Sequence, residues 1–447
     1  MVELRSRLLF VVVAAVAALV SVFIVPEANA MKIQAVKSPG GIEAWLVEEH
    51  SVPLVALRFS FDGGNAQDPV GKEGLANFLT GMLDEGAGDL NSVQFQERME
   101  DIAMRMSFTD SRDAVYGSLE TLTVNIDKAI DLLRLAVNKP RFDADAVERV
   151  NAQLQASLAF AAKSPDQVAA KAFSALMFPN HPYGRPANGT AASVAGITGA
   201  DLEAYRRKVF ARGNLKVVAV GDIDAKALGV VLDKLFGELP TKAELVVVPK
   251  ISPPSGGQLK VIEMDVPQSV ATFGVNGIAR KDPDFMPAFV LNQILGGGGF
   301  ASRLMEEVRE KRGLAYSVYS YLNPLKSASL FAGGVSTKNE EMAKSIEVIQ
   351  VELKRMADQG PTQTEWENSR SFLTGSYALR FDTNAKIADQ LLAIKQDDLG
   401  IDYVDKRNVE VQAVTIDDLK RVAKRLLKTD EMVFMVVGKP KNLASRS

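Results

Sequence analysis

Residue types that commonly do chemistry are scarce in this chain of 447 residues. It has no cysteine and only two histidines, His50 and His181. Disulfides, thiolate metal sites, cysteine nucleophiles and iron–sulfur clusters are therefore excluded. A site needing two neighbouring histidines exists only if the fold joins those two. The segment Gly71–Gly86, GKEGLANFLTGMLDEG, sets Asn77, Thr80 and Gly81 at i, i+3 and i+4. That spacing converges three side chains on one helix face. The three groups are an amide, a hydroxyl and a hydrogen, none of them a good zinc ligand or a general base near neutral pH. Leu75, Phe78, Leu79, Met82 and Leu83 form an apolar stripe in the same segment, so it also reads as a plain amphipathic helix.

A second segment, Leu295–Tyr321, reads LGGGGFASRLMEEVREKRGLAYSVYSY. Gly296–Gly299 precede a helix expected from about Ser302 to Arg312. No Gly-Lys-Ser/Thr ending follows, so a close backbone turn is expected rather than a phosphate loop. Gly313 is placed to end the helix as a C′ glycine. Leu314–Tyr321 then reads as a strand. Its alternation sets Tyr316, Val318 and Ser320 on one face and Ser317, Tyr319 and Tyr321 on the other. Arg309 lies among Glu306, Glu307, Glu310, Lys311 and Arg312, which also describes a solvated helix face. Tyr316 also fits as an ordinary sheet-face aromatic.

The elements that position these residues come in two similar sets. Val52-Pro53 and Asp68-Pro69 recur, in register, as Val266-Pro267 and Asp282-Pro283. Ile197-Thr198 with Asp201-Leu202, followed by the apolar run Leu215–Gly221, recurs as Val414-Thr415 with Asp418-Leu419 and Met432–Gly438. Each tail reads as an Asp-initiated helix followed by a buried strand closed by glycine. Between the sets lies a Pro/Gly/Ser-rich stretch from Pro240 to Gly257, a linker composition. The expected organisation is a first domain over 31–245, a linker over 246–258 and a second domain over 259–447. In the first, strands are expected at Ile42–Val47, Leu54–Asp62 and Ala114–Ile126. The order of elements is not a strict βαβ alternation. The fold class is therefore α+β, with two homologous domains, each a mixed, mainly antiparallel sheet with helices packed on one face.

Residues 1–30 stand apart. Arg5 and Arg7 precede an apolar run from Leu8 to Val25, and Pro26 and Ala28-Asn29-Ala30 follow. These are the parts of a cleaved secretory signal, which implies export, to the periplasm in a two-membrane bacterium. An uncleaved membrane anchor is the alternative, since the run approaches spanning length. Lys+Arg number 52 against 55 Asp+Glu, a net charge of −3, so there is no basic excess for nucleic acid. No Ser-His-Asp arrangement or nucleotide fingerprint stands out.

The Gly74–Met82 segment resembles the zinc-site helix of the pitrilysin/insulinase metallopeptidases, a family that includes the mitochondrial processing peptidases. Active members carry G-L-A-H-F-L-E-H-M, the inverted zincin motif HxxEH, in which two histidines bind zinc and the glutamate activates water. Here the frame is intact and the three chemical positions are Asn77, Thr80 and Gly81. Counted from Gly81 and aligned on Glu148-Arg149, the family's third ligand falls close to Ser157, also no ligand. The resemblance implies that this chain holds no metal or other cofactor and is inactive alone. The Leu295–Tyr321 segment is similar to the family's C-terminal-domain segment with an Arg/Tyr pair, here Arg309 and Tyr316. In active two-domain enzymes that pair hydrogen-bonds the substrate carbonyl and stabilises the transition state. The resemblance thus implies a clamshell half: the non-zinc subunit of a heterodimeric exported zinc endopeptidase. A homologous partner would bear HxxEH and its zinc, and the substrate would be a peptide or unfolded polypeptide. The alternative is an inactive peptide-binding or structural homologue.

Overall fold

The computed structural model describes residues 31–254 and 256–446; the signal-peptide expectation lies outside them. Thirteen strands occur among these residues: β1 Gln34–Lys37, β2 Glu43–Glu48, β3 Leu54–Asp62, β4 Gly86–Ala87, β5 Leu90–Asn91, β6 Arg105–Asp110, β7 Ala114–Leu122, β8 Leu215–Gly221, β9 Leu259–Glu263, β10 Gln268–Asn276, β11 Ala315–Pro324, β12 Ser329–Lys338 and β13 Val433–Gly438. Six form one sheet in the order β1-β2-β8-β3-β7-β6, and five form another in the order β11-β12-β10-β13-β9. Setting β1 aside, the two share one plan. β2 runs parallel to β8 as β9 does to β13, and all other pairs are antiparallel. The repeated Val-Pro dipeptides thus lead into β3 and β10, and the repeated apolar runs form β8 and β13.

The repeated helices start alike. Thr198 and Thr415 accept the backbone N–H of Asp201 and Asp418, and each aspartate reaches back to its threonine, completing a capping box. The caps are therefore the threonines, with the aspartates three residues on. β7 ends at Leu122, short of the expected Ile126. A turn at Thr123–Asn125 intervenes, with the Thr123 hydroxyl donating to Asp222 (2.9 Å), and Ile126 opens a helix.

Each sheet packs one face on helices of its own half, as expected, and receives one helix of the other half on its opposite face. Leu57, Phe59 and Phe61 of β3 point into the first core, with Phe61 stacked on Phe210 at 4.4 Å between centroids. The alternate residues face the Asn384–Gln396 helix. Arg58 pairs with Asp389 at 2.6 Å and the Ser60 hydroxyl donates to Gln396 at 2.8 Å. In reciprocal fashion, Phe173 and Met177 of the Pro165–Met177 helix pack on Leu330, Ala332, Val433 and Met435. This exchange explains why β8 and β13 are apolar without alternation: both their faces are covered. The Pro/Gly-rich stretch is strapped down. Gln67 bonds both the N–H and the carbonyl of Val246 (2.8 Å each), and Ile251 N–H donates to Ser327 (2.9 Å).

Candidate functional site

The helix carrying the motif frame is short, Leu75–Thr80. Leu75, Phe78, Leu79, Met82 and Leu83 are all buried in the first core. Gly74, before the helix, has φ +93°, and a Cβ there would lie 2.8 Å from the Asn188 carbonyl, so only glycine fits. The helix start is capped from a distance. The carboxylate of Asp68, 4% exposed, accepts the N–H groups of Gly74 (2.8 Å) and Ala76 (3.0 Å). Burial pushes that carboxyl up to about 7.

The three motif positions are occupied by local structure. Asn77 donates its amide to Asp110 Oδ1 at 3.3 Å, and Asn65 donates to Asp110 Oδ2 at 2.7 Å. Burial also raises the Asp110 carboxyl. Thr80 turns its hydroxyl back onto the Asn77 carbonyl at 2.8 Å. Gly81 lies just past the helix end, exposed, at φ −77° and ψ −4°. An added Cβ there would meet nothing closer than Val150 Cγ1 at 3.5 Å. That valine belongs to the Ala144–Ala161 helix, which also carries Ser157, exposed. A bonded amide, a back-bonded hydroxyl and an absent side chain do not fit zinc. Among the described residues, no group of three or more His, Cys, Asp or Glu is arranged to hold a metal.

The fold keeps the two histidines apart in separate polar contacts. Exposed His50 bonds Asp222 at 2.7 Å, which raises its ring pKa. Buried His181 accepts the Tyr183 N–H at Nδ1 (3.1 Å), so its Nε2–H donates to the Pro249 carbonyl (2.8 Å). The neighbouring Tyr183 hydroxyl donates to Asp113 and accepts from Ser327 N–H (3.1 Å), linking the two halves.

Arg309 and Tyr316 open onto one cleft of about 400 Å³, beside Gln268, Lys338 and Glu341. The expected Ser302–Arg312 helix is wound as a π-helix over Met305–Glu310, a form frequent at functional sites. Gly313 closes it at φ +62°. Arg309 lies over the Phe300 ring at 4.5 Å and 3.6 Å from Glu310. The strand alternation expected for Tyr316 fails for an identifiable reason. Ala315 pairs with Thr337 and Ser317 with Ser336, leaving Tyr316 as the extra residue of a bulge. A bulge re-aims its side chain. Val318 and Ser320 are buried, whereas Tyr316 is 81% exposed, on the same side of the burial pattern as Tyr319 and Tyr321. The glycine run allows a close approach: a Cβ on Gly296 would lie 2.5 Å from the Ser320 nitrogen.

Residues 45–191 match the insulinase family (peptidase family M16), and residues 196–373 match the peptidase M16 inactive domain. The chain belongs to the M16, or insulinase, peptidase family. It is 27% identical over 424 residues to a Helicobacter pylori protein described as the non-peptidase homolog YmxG, covering 95% of this chain and 98% of the relative. The crystal structure of a peptidase M16 inactive domain from Pseudomonas fluorescens superposes with a TM-score of 0.86 at 29% identity, over 93% of this chain and 99% of that one. A protease from Helicobacter pylori shares the fold, with a TM-score of 0.82 at 18% identity, over 91% and 100% of the two chains. Within the family, this member has no ligand at the zinc-motif positions.

Residue identity and spacing point to the motif helix and the Arg/Tyr pair but not to the polar cluster around Asp68 and Asp110. Asp68 was visible only as half of a repeated Asp-Pro dipeptide. Nothing in the local sequence signals that its carboxylate caps a helix six residues on.

Proposed function

We propose that this chain is the non-zinc subunit of an exported heterodimeric zinc endopeptidase. A homologous partner bearing HxxEH would supply the zinc, and this chain would supply Arg309 and Tyr316. The observation that carries the reading is their convergence: a guanidinium and a phenol on one open cleft, the phenol turned outward by a bulge. A structural descendant has no need of that arrangement. Arginine offers a charged fork of donors and tyrosine a donor on a rigid ring. Aimed at a developing oxyanion, one such donor is worth about 2.7–4 kcal/mol, or 10²–10³ in rate. The substrate would be an extended or unfolded polypeptide. The intact frame around Asn77, Thr80 and Gly81, without its chemistry, supports a chain that depends on a partner for hydrolysis.

The test mixes the purified chain with an HxxEH-bearing homologue from the same cell. Activity should emerge or rise on mixing, and Arg309→Ala and Tyr316→Phe should each lower it by about 10²–10³. If a complex forms but both variants support full activity, the site assignment is wrong. A chain that binds peptide and alters no partner's activity would instead be a binding protein, a reading compatible with the description of the Helicobacter pylori relative as a non-peptidase homolog.

A further inference from the structure

A cleft elsewhere in the second half holds positive charge that the chain leaves unneutralised. It lies between the helices Phe285–Asn292, Asn384–Gln396 and Tyr403–Ala413 and the end of β11, with a volume of about 370 Å³. That is within the range of small-molecule sites. Arg407 lines it and is only 4% exposed. Its Nη1 donates to the Leu373 carbonyl (2.6 Å) and to Asn408 Oδ1 (2.8 Å). Its guanidinium lies 4.4 Å from the Tyr377 ring centroid and 5.4 Å from that of Phe289. Among the described residues, Nε and Nη2 have no protein acceptor and no carboxylate pairs with Arg407.

Two more guanidiniums line the same cleft. Arg280 is satisfied: it pairs with Asp397 (3.0 Å), donates to the Tyr403 hydroxyl (2.9 Å) and lies over Phe285. Arg380 is exposed and has no carboxylate partner among the described residues. Burial pushes the Arg407 guanidinium down; Tyr377 and Tyr403 oppose the fall, and the charge of Arg380 adds a little to it. Three arginines therefore face one carboxylate. A buried guanidinium without a counter-charge is unfavourable, and an anion entering the cleft relieves it.

We propose that this cleft binds an organic carboxylate attached to an apolar or aromatic body. Arg407 and Arg380 take the carboxylate, and Tyr377, Phe289 and Tyr321 take the body. The guanidinium fork matches a carboxylate in geometry as well as charge. A peptide C-terminus ending in an apolar residue and a free aromatic acid share this chemistry. The cleft shares no residue with the one holding Arg309 and Tyr316, and the proposal does not depend on the subunit reading.

The purified chain would be titrated by calorimetry with N-acetylphenylalanine, N-acetylphenylalaninamide and N-acetyl-Gly-Gly-phenylalanine. The acid should bind saturably and the amide at least tenfold more weakly. Arg380→Gln, at an exposed position, should weaken acid binding at least fivefold without changing the melting temperature of the free protein. Arg407→Lys, which keeps the charge and removes the fork, should weaken it further. Tighter binding of the tripeptide than of the single residue identifies a peptide C-terminus as the ligand. Equal binding identifies a small acid, and either result supports the site. Equal affinity for acid and amide, no saturable binding at millimolar concentrations, or indifference to Arg380→Gln overturns the proposal.

Discussion

Asp68→Asn tests how the motif helix is held. Asp68 is 4% exposed and caps the helix through the Gly74 and Ala76 N–H groups. Burial is the largest influence on its carboxyl, raising it from 3.8 to about 7. The charge of Asp110 adds to the rise, while the two N–H groups and Arg185 oppose it. A carboxyl whose folded pKa lies above its unfolded value binds more protons in the native state. Its contribution therefore favours folding most at low pH, declines as pH rises from about 4 to about 7, and levels off above. With one pKa unit equivalent to about 1.4 kcal/mol, the Asp68 contribution should be roughly 2–3 kcal/mol less favourable at about pH 8 than at about pH 5. The asparagine variant cannot ionise but keeps a cap acceptor. Urea unfolding of both proteins across this range isolates the difference, because every other titrating group is common to both. The stability of Asp68→Asn relative to the parent should rise by that amount between the two pH values. Parallel stability curves would show that the buried carboxyl titrates at its ordinary value and that the N–H groups outweigh burial.

Three further outcomes follow from the geometry around the motif and the glycine run. Gly296→Ala forces a methyl to within 2.5 Å of the Ser320 backbone nitrogen, and should cost about 1–3 kcal/mol or more in urea unfolding, as overpacking does. Gly81→His should be tolerated, because a Cβ there clears its neighbours and φ is −77°. Combined with Asn77→His, Thr80→Glu and Ser157→Glu, it should produce a chain that retains zinc through gel filtration, measured by atomic emission. A folded quadruple variant with no zinc would show that the motif frame no longer has the family's geometry.

The fold was legible in the sequence where one residue pattern served one local purpose. The stripe Leu75–Leu83 is buried as its spacing required, and the repeated Val-Pro and Thr-x-x-Asp signatures mark equivalent strands and helices. Long-range pairings left no local trace. The reciprocal helix exchange rests on contacts such as Arg58–Asp389, between residues far apart in the chain. The strand end was set at Ile126 rather than Leu122 because apolar and polar residues go on alternating through Leu122-Thr123-Val124-Asn125-Ile126, past the end of β7. The Tyr316 bulge depends on the register of β12 and carries no glycine or proline signal of its own. The chemistry lost from the motif helix was readable because it depends on residue identity alone. What replaced it, the Asn77–Asp110–Asn65 cluster, needed the fold.

The most direct test of the central claim is peptidase activity and zinc content measured on one set of samples: the purified chain alone, an HxxEH-bearing homologue alone, and the two mixed. This chain should be metal-free and inert, and the mixture should exceed the homologue alone, with the gain lost when Arg309→Ala replaces the parent chain. Zinc-dependent hydrolysis by this chain alone, or a stable complex whose activity is unchanged by Arg309→Ala, would contradict it.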